Sequence, residues 1–230
     1  MIALGGGLDL NWGKAFASLP FMLEGLRITI YIAVFGLLFG YILGLAAGIA
    51  RTTSIKVLNY IAMVYIEAIR GTPILVQAVW LYFGFNQLLM QWAGWRVTEN
   101  IAGIIVIAVN AGAYIAEIVR GSIQSIEKGQ QEAGRSLGLT AVQTFIHIIF
   151  PQALKRMIPP LGNQFIISLK DTSLLSVIAV GELLRNSQEI VANDFNAFEI
   201  YTLLAALYFL LTLMLTLCLR WIERKLGARL

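Results

Sequence analysis

The sequence predicts an all-α polytopic membrane protein of about five transmembrane helices, with one long cytoplasmic loop. Three observations predict it. Of the 230 residues, 58% are hydrophobic and only 13% charged, about half the charge of a soluble domain. The apolar residues gather into runs of about the 20 residues that a bilayer-crossing helix needs. The basic residues between those runs fall mostly on alternate loops, the pattern that sets membrane orientation.

The runs follow in order. Ile28–Ala50 is free of charge. Gly71–Trp95 is a second run, preceded by the shorter apolar stretch Val57–Ile66. Asn100–Ala116 is a third. Met157–Gly181 is a fourth, interrupted by Lys170 and Asp171, and Ile200–Leu219 is a fifth. Backbone groups in lipid must be satisfied within the segment, so continuous runs read as helices and not as barrel strands. Ser136–Leu154 also lacks acidic and basic residues. It holds Gln143, Thr144, His147, Pro151 and Gln152 and reads as an amphipathic or loop-buried segment. The length suits a single transmembrane domain over 1–230, with a cytoplasmic loop of about 121–156.

Arg51 and Lys56 follow the first run. Arg120, Lys128, Arg135, Lys155 and Arg156 follow the third, and Arg220, Arg224, Lys225 and Arg229 follow the fifth. The opposite side holds Lys14, Arg27, Arg96 and Arg185. The expected orientation therefore has the N-terminus outside and the C-terminus in the cytoplasm. Trp92 and Trp95 suit the outer interface. The net charge of +4 is thereby topological and does not call for nucleic acid. Met1–Gly7 lacks a basic stretch followed by a short apolar one, so no cleavable signal is expected. One cysteine, Cys218, and one histidine, His147, support neither an intrachain disulfide nor a His-based metal cluster.

Polar residues inside the runs are the candidate functional groups, because lipid disfavours them. Asn110, Tyr114 and Glu117 are spaced to share one helical face, which would line a cavity or hydrogen-bond to a neighbouring helix. Glu67 and Arg70 can pair across one turn. Gly71 and Pro73 then break the helix, and a broken membrane helix frees backbone groups for a substrate or ion, or simply forms a hinge. Asp171 is placed to hold an α-ammonium group and Lys170 a carboxylate, with Thr172 beside them. The same charges would also serve as an ion pair between helices. Gly36, Gly40, Gly44 and Gly48 lie one turn apart and favour close helix packing.

The loop 121–156 shows no zinc-ligand spacing and no nucleophile–base pair. Gly13-Lys14 is not a P-loop, since the upstream glycine is missing and Ala15 stands where Ser or Thr belongs. The expectation is a chain without catalysis or a cofactor of its own; any ATP is used by a partner subunit.

Glu132-Ala133-Gly134, Gly138, Ile148 and Phe150-Pro151 resemble the loop shared by permeases of bacterial ABC importers: Glu-Ala-Ala, three residues, Gly, nine residues, Ile, one residue, Leu-Pro. Every spacing is kept, with Gly134 for Ala and Phe150 for Leu. Gly25–Thr29, Arg70–Gln77, Asn110–Glu117 and Lys170–Leu174 are similar to the polar amino acid subfamily, and Pro159–Gln164 resembles its glutamine permeases. The resemblance implies a core of about 20–225 and an inner-membrane permease translocating a polar amino acid, glutamine or a relative, by alternating access. It implies a cytoplasmic ATPase dimer, an extracytoplasmic binding protein and a second permease chain, as a homodimer. It places Glu132, Ala133 and Gly138 at the ATPase contact and Asp171 at a mid-membrane substrate site. Lys170, Thr172, Glu67 and Asn110 are further substrate-site candidates by polarity and position. A basic, acidic or cystine substrate, or at a greater distance an ion-coupled transporter, are the alternatives.

Overall fold

A computed structural model describes residues 10–226, so the reading of Met1–Gly7 and the basic Arg229 lie outside the described residues. A short helix α1 (Trp12–Ala17), capped by the Asn11 side chain, leads into α2 (Leu19–Ala50). Helix α3 (Lys56–Arg70) follows. After a break come α4 (Ile74–Val79), a π-helical turn at Trp80–Phe85, and α5 (Asn86–Ala93). Then come α6 (Glu99–Gln124) and α7 (Lys128–Ser136). Helix α8 (Ala141–Thr144) continues through a π-helical turn at Phe145–Ile149 into α9 (Phe150–Asp171). A 3-10 segment at Thr172–Ile178 leads to α10 (Leu183–Asp194) and α11 (Ala197–Leu226).

Helices α2, α6 and α11 are each long and apolar enough to cross a membrane, and α3 with Ile74–Ala93, bent by 101° at the break, passes the same test as a pair, which makes four where the pair counts as one broken span. The expected run Met157–Gly181 differs from the structure at both ends. Its helix begins earlier and stops at Asp171. It is not among the helices apolar enough to cross on composition alone, since Lys155 and Arg156 stand near its start, Asn163 and Gln164 in its middle, and Lys170 and Asp171 at its end. Beyond Asp171 the hydroxyls of Thr172 and Ser173 donate to the carbonyls of Leu169 and Lys170, at 2.7 and 2.8 Å, and the chain tightens to 3-10.

The segment Ser136–Leu154 is amphipathic, one of the two forms expected, and it is mostly helical. Only Leu137–Thr140 is non-helical; from Ala141 onward the chain is one helix running into α9. Thr144, Ile149, Ala153 and Met157 form its buried stripe, while Gln143 and His147 stay on the exposed side. The exposed polar residues hid a continuous helix.

The centre of the fold is the pairing of α2 with α6. A Cβ added at Gly36 would meet Ile107, at Gly40 the carbonyl of Ala108, at Gly44 Ile115, and at Gly48 Val119. Both sets of residues advance in the same direction along their helices, so the two run parallel with backbones in close approach. Helix α6 is the more enclosed, consistent with its central place, whereas the apolar stretch of α11 is not buried within this chain.

Candidate functional site

The site is built on the break between α3 and α4. Pro73 has no N–H to continue α3, and its extended backbone starts a new direction. Carbonyls left over at the end of α3 are met by two side chains: the Thr72 hydroxyl donates to those of Ala68 and Ile69, at 3.0 and 3.3 Å, and Gln77 does the rest. Gln77 Nε2 donates to the carbonyls of Ile69 at 2.8 Å and Thr72 at 3.0 Å. Its Oε1 accepts from Asn110 Nδ2 at 3.1 Å, which ties the corner to α6. Part of the backbone that the sequence pattern left open to a substrate is thus occupied by Gln77.

Facing this corner is a cavity of about 530 Å³. The corner contributes Arg70, Gly71, Thr72, Pro73 and Ile74. Helix α6 contributes Asn110 and Tyr114, and α9 contributes Gln164, Ile167 and Asp171. Positions 164, 167 and 171 recur at helical spacing, so one stripe of α9 faces the cavity. Asp171 and Asn110, two of the sequence candidates, therefore meet here. Lys170 and Thr172 are off that stripe and do not line the cavity. Lys170 is exposed, whereas Thr172 is fully buried. Glu67 is exposed and also outside the cavity wall.

Arg70 replaces Lys170 as the cation of the cavity. Its expected pairing with Glu67 is not what the structure holds. Arg70 Nη1 reaches Glu117 at 3.7 Å, and its guanidinium lies over the Tyr114 ring, 5.4 Å from the centroid. Glu117 is held more tightly by Arg120, whose Nε and Nη2 donate to the carboxylate at 2.8–3.2 Å. Asn110, Tyr114 and Glu117 do share one face, as their spacing predicted. The upper two line the cavity and the third anchors its arginine.

Both carboxamides of the cavity present oxygen. Asn110 spends an N–H on Gln77, and Gln164 Nε2 donates to Ser168 Oγ at 3.1 Å. Their oxygens have no partner among the described residues. No group of three or more His, Cys, Asp or Glu residues suited to a metal occurs among the described residues.

On the far side of α6 lies the segment carrying Glu132, Ala133 and Gly138. Glu132 and Ala133 are exposed on α7. Gly134 is buried beneath them, where an added Cβ would approach Thr144 and Ile148 at 2.7 and 2.8 Å. A smaller residue than the family's alanine is what lets α7 sit this close to α8. Gly138 closes α7 with φ of 84°, a left-handed conformation that suits glycine, while Leu139 N donates to the Gly134 carbonyl at 3.2 Å. Leu137 beside it is 81% exposed. It was not singled out from the sequence, since one leucine before a glycine carries no signal until its exposure is known.

A buried carboxylate, Glu182, also escaped the sequence reading. It caps α10 by accepting from Leu184 N at 2.9 Å and Arg185 N at 2.7 Å, and it accepts from the Tyr208 hydroxyl at 3.0 Å. Thr29, on α2, accepts from Leu183 N at 3.2 Å. This knot joins α2, α10 and α11 away from the cavity.

Comparison with known proteins fits this architecture. Residues 36–228 match the family described as binding-protein-dependent transport system inner membrane component. The chain is 46% identical over 218 residues to the glutamine transport system permease protein GlnP of Escherichia coli strain K12, covering 95% of this chain and 98% of that protein. It is 38% identical over 224 residues to the L-cystine transport system permease protein TcyB of Bacillus subtilis strain 168, covering 96% and 93%. Among solved structures, a crystal structure of an amino acid ABC transporter with histidines matches with a TM-score of 0.87 at 37% identity, over 95% of this chain and all of that one. The chain therefore belongs to the family of binding-protein-dependent transport system inner membrane components.

Proposed function

We propose that this chain is the translocating subunit of an importer for a zwitterionic polar amino acid, with glutamine the preferred cargo. One observation carries the reading: Arg70 and Asp171 line the same cavity, joined there by two carboxamides. The guanidinium suits an α-carboxylate and the carboxylate an α-ammonium group. Arg70 and Asp171 are the cavity's two ionisable acid–base side chains of opposite sign, so the lining is balanced and favours a neutral zwitterion over a basic or acidic amino acid. The free oxygens of Asn110 and Gln164 complement the N–H groups of a side-chain amide. The name of the Escherichia coli relative, at 46% identity, supports glutamine, and that of the Bacillus subtilis cystine relative shows that another cargo occurs at 38%. Lys170, Thr172 and Glu67 act outside the first contacts in this reading.

Transport proceeds by alternating access in the inner membrane. A binding protein delivers the amino acid from outside to two permease chains, a homodimer. Two cytoplasmic ATPase subunits hydrolyse ATP and favour one opening over the other. Glu132 and Ala133 present the docking face of α7, Gly138 sets the turn that ends it, and Leu137 adds an apolar contact. The N-terminus lies outside and the C-terminus in the cytoplasm. Uptake by the reconstituted complex, measured with labelled glutamine, glutamate, arginine, histidine and cystine, tests the cargo. Glutamine uptake well above the others is expected; preference for a charged amino acid contradicts the balanced cavity.

A further inference from the structure

Between the corner where α2 turns back into α3 and the segment running from the end of α6 through α7 to α8 lies a second, open-sided cavity of about 630 Å³, distinct from the one between α4, α6 and α9. Arg51 and Lys128 stand in its wall with the amides of Asn59 and Gln131, and Ile123 and Ile149 supply apolar lining. Arg51 is held in place: its Nη1 donates to Asn59 Oδ1, and Asn59 Nδ2 donates back to the Arg51 carbonyl at 2.9 Å. Its Nε is buried and has no hydrogen-bond partner. Neither Arg51 nor Lys128 has a carboxylate within ion-pair distance among the described residues. One carboxylate, Glu127, shares the wall and offsets one of the two charges.

A smaller cavity of about 240 Å³ has Thr53 and Asn59 in common with this one, and adds Lys56, Tyr60 and Met63. It leads along α3, whose Val57, Tyr60, Ile61 and Val64 are 48–68% exposed. The corner thus combines a fixed guanidinium, two lysines and an apolar track on the neighbouring helix. A free cytoplasmic anion would use the first two of these and leave the track unused.

We propose that this corner binds the phosphodiester headgroup of an anionic phospholipid. Arg51 and Lys128 take the phosphate, Lys56 lies at the rim, and the acyl chains follow the outer face of α3. Basic pockets between membrane helices have this chemistry toward lipid headgroups, and a guanidinium matches phosphate oxygens in shape as well as charge. Because Lys128 opens α7 and Arg51 closes α2, a bound headgroup would tie the membrane core to the segment assigned to ATPase coupling. The lipid site itself stands apart from the choice of cargo.

The test is native mass spectrometry of the purified permease–ATPase complex, titrated with phosphatidylglycerol and, separately, phosphatidylcholine. Glycerol 3-phosphate, inorganic phosphate and glutamine serve as soluble competitors. Phosphatidylglycerol should be retained about tenfold more strongly than phosphatidylcholine, the scale of one charge-assisted contact. Arg51→Gln should remove the preference, and Arg51→Lys should keep part of it. Since Arg51→Gln also loosens the Asn59 lock, the double variant Lys56→Gln/Lys128→Gln provides a second reading and should reduce retention with that lock intact. Unchanged phosphatidylglycerol retention in the double variant overturns the proposal. So does displacement of the lipid by glycerol 3-phosphate, phosphate or glutamine, which would assign the cavity to a soluble ligand.

Discussion

Arg70 at the end of α3 pairs with Glu117 of α6, 3.7 Å away, and not with Glu67 one turn back on its own helix. The pair fixes the cavity's guanidinium from below and leaves its remaining donors to the cavity. Arg70→Lys should keep a positive charge but lose the planar fork and the stacking over Tyr114. Glutamine uptake by the reconstituted complex is expected to fall about tenfold, equivalent to losing one charged contact. Assembly with the ATPase, followed by co-purification, should be retained.

Gly44 stands where α2 passes closest to Ile115, and an added Cβ would come within 2.5 Å of that side chain and 2.9 Å of the Gly112 carbonyl. Gly44→Val should therefore force the two helices apart, at a cost of about 1–3 kcal/mol from overpacking. Thermal unfolding of the purified protein in detergent is the check, with a lowered midpoint expected. Gly121, with nothing within 4 Å of an added Cβ, is the matched control, and Gly121→Ala should leave the midpoint unchanged or slightly raised.

Much of this packing is legible in the sequence because the glycine spacing is local: four residues is close to one turn wherever the helix goes. The shared face of Asn110, Tyr114 and Glu117 is legible for the same reason. The partners across space are not. Arg70 and Glu117 lie 47 positions apart in numbering, and Glu67 is the nearer acid on the same helix. Lys170 and Asp171 read as a unit because they are adjacent, yet neighbours on a helix project about 100° apart, and only Asp171 falls on the cavity stripe with Gln164 and Ile167. Glu182 gave no pattern, being a single acid after an apolar run; only its three donors reveal it. The family motif marked α7 by its spacing, but the packing that calls for Gly134 lies in Thr144 and Ile148.

Gly138 separates conformational strain from steric clash. Its φ is 84°, and an added Cβ meets nothing within 4 Å. Gly138→Ala should cost about 1–2 kcal/mol through the left-handed backbone alone. Substrate-stimulated ATP hydrolysis by the reconstituted complex should drop while membrane insertion persists. Gly129→Ala, on α7 and equally open, should preserve the stimulation.

The orientation predicts accessibility. With Cys218 replaced by Ser, a cysteine introduced at Gly94 should react with a membrane-impermeant maleimide added outside the cell. One introduced at Gln130 should react only after the membrane is opened. Gly94 ends α5, and Gln130 lies on α7 across α6 from it. Labelling of Gln130 from outside would reverse the assigned sides.

The most direct measurement of the proposed substrate contact is glutamine uptake by the reconstituted complex carrying Asp171→Asn, with binding protein at saturation and assembly followed in parallel. Asn keeps the shape and removes the charge that is to meet the ammonium group. Uptake about tenfold lower or less still, on the scale of one charged contact, is predicted, with the complex assembled and its basal ATP hydrolysis retained. Wild-type uptake in Asp171→Asn would contradict the account, as would lost assembly rescued, together with uptake, by adding Lys170→Gln.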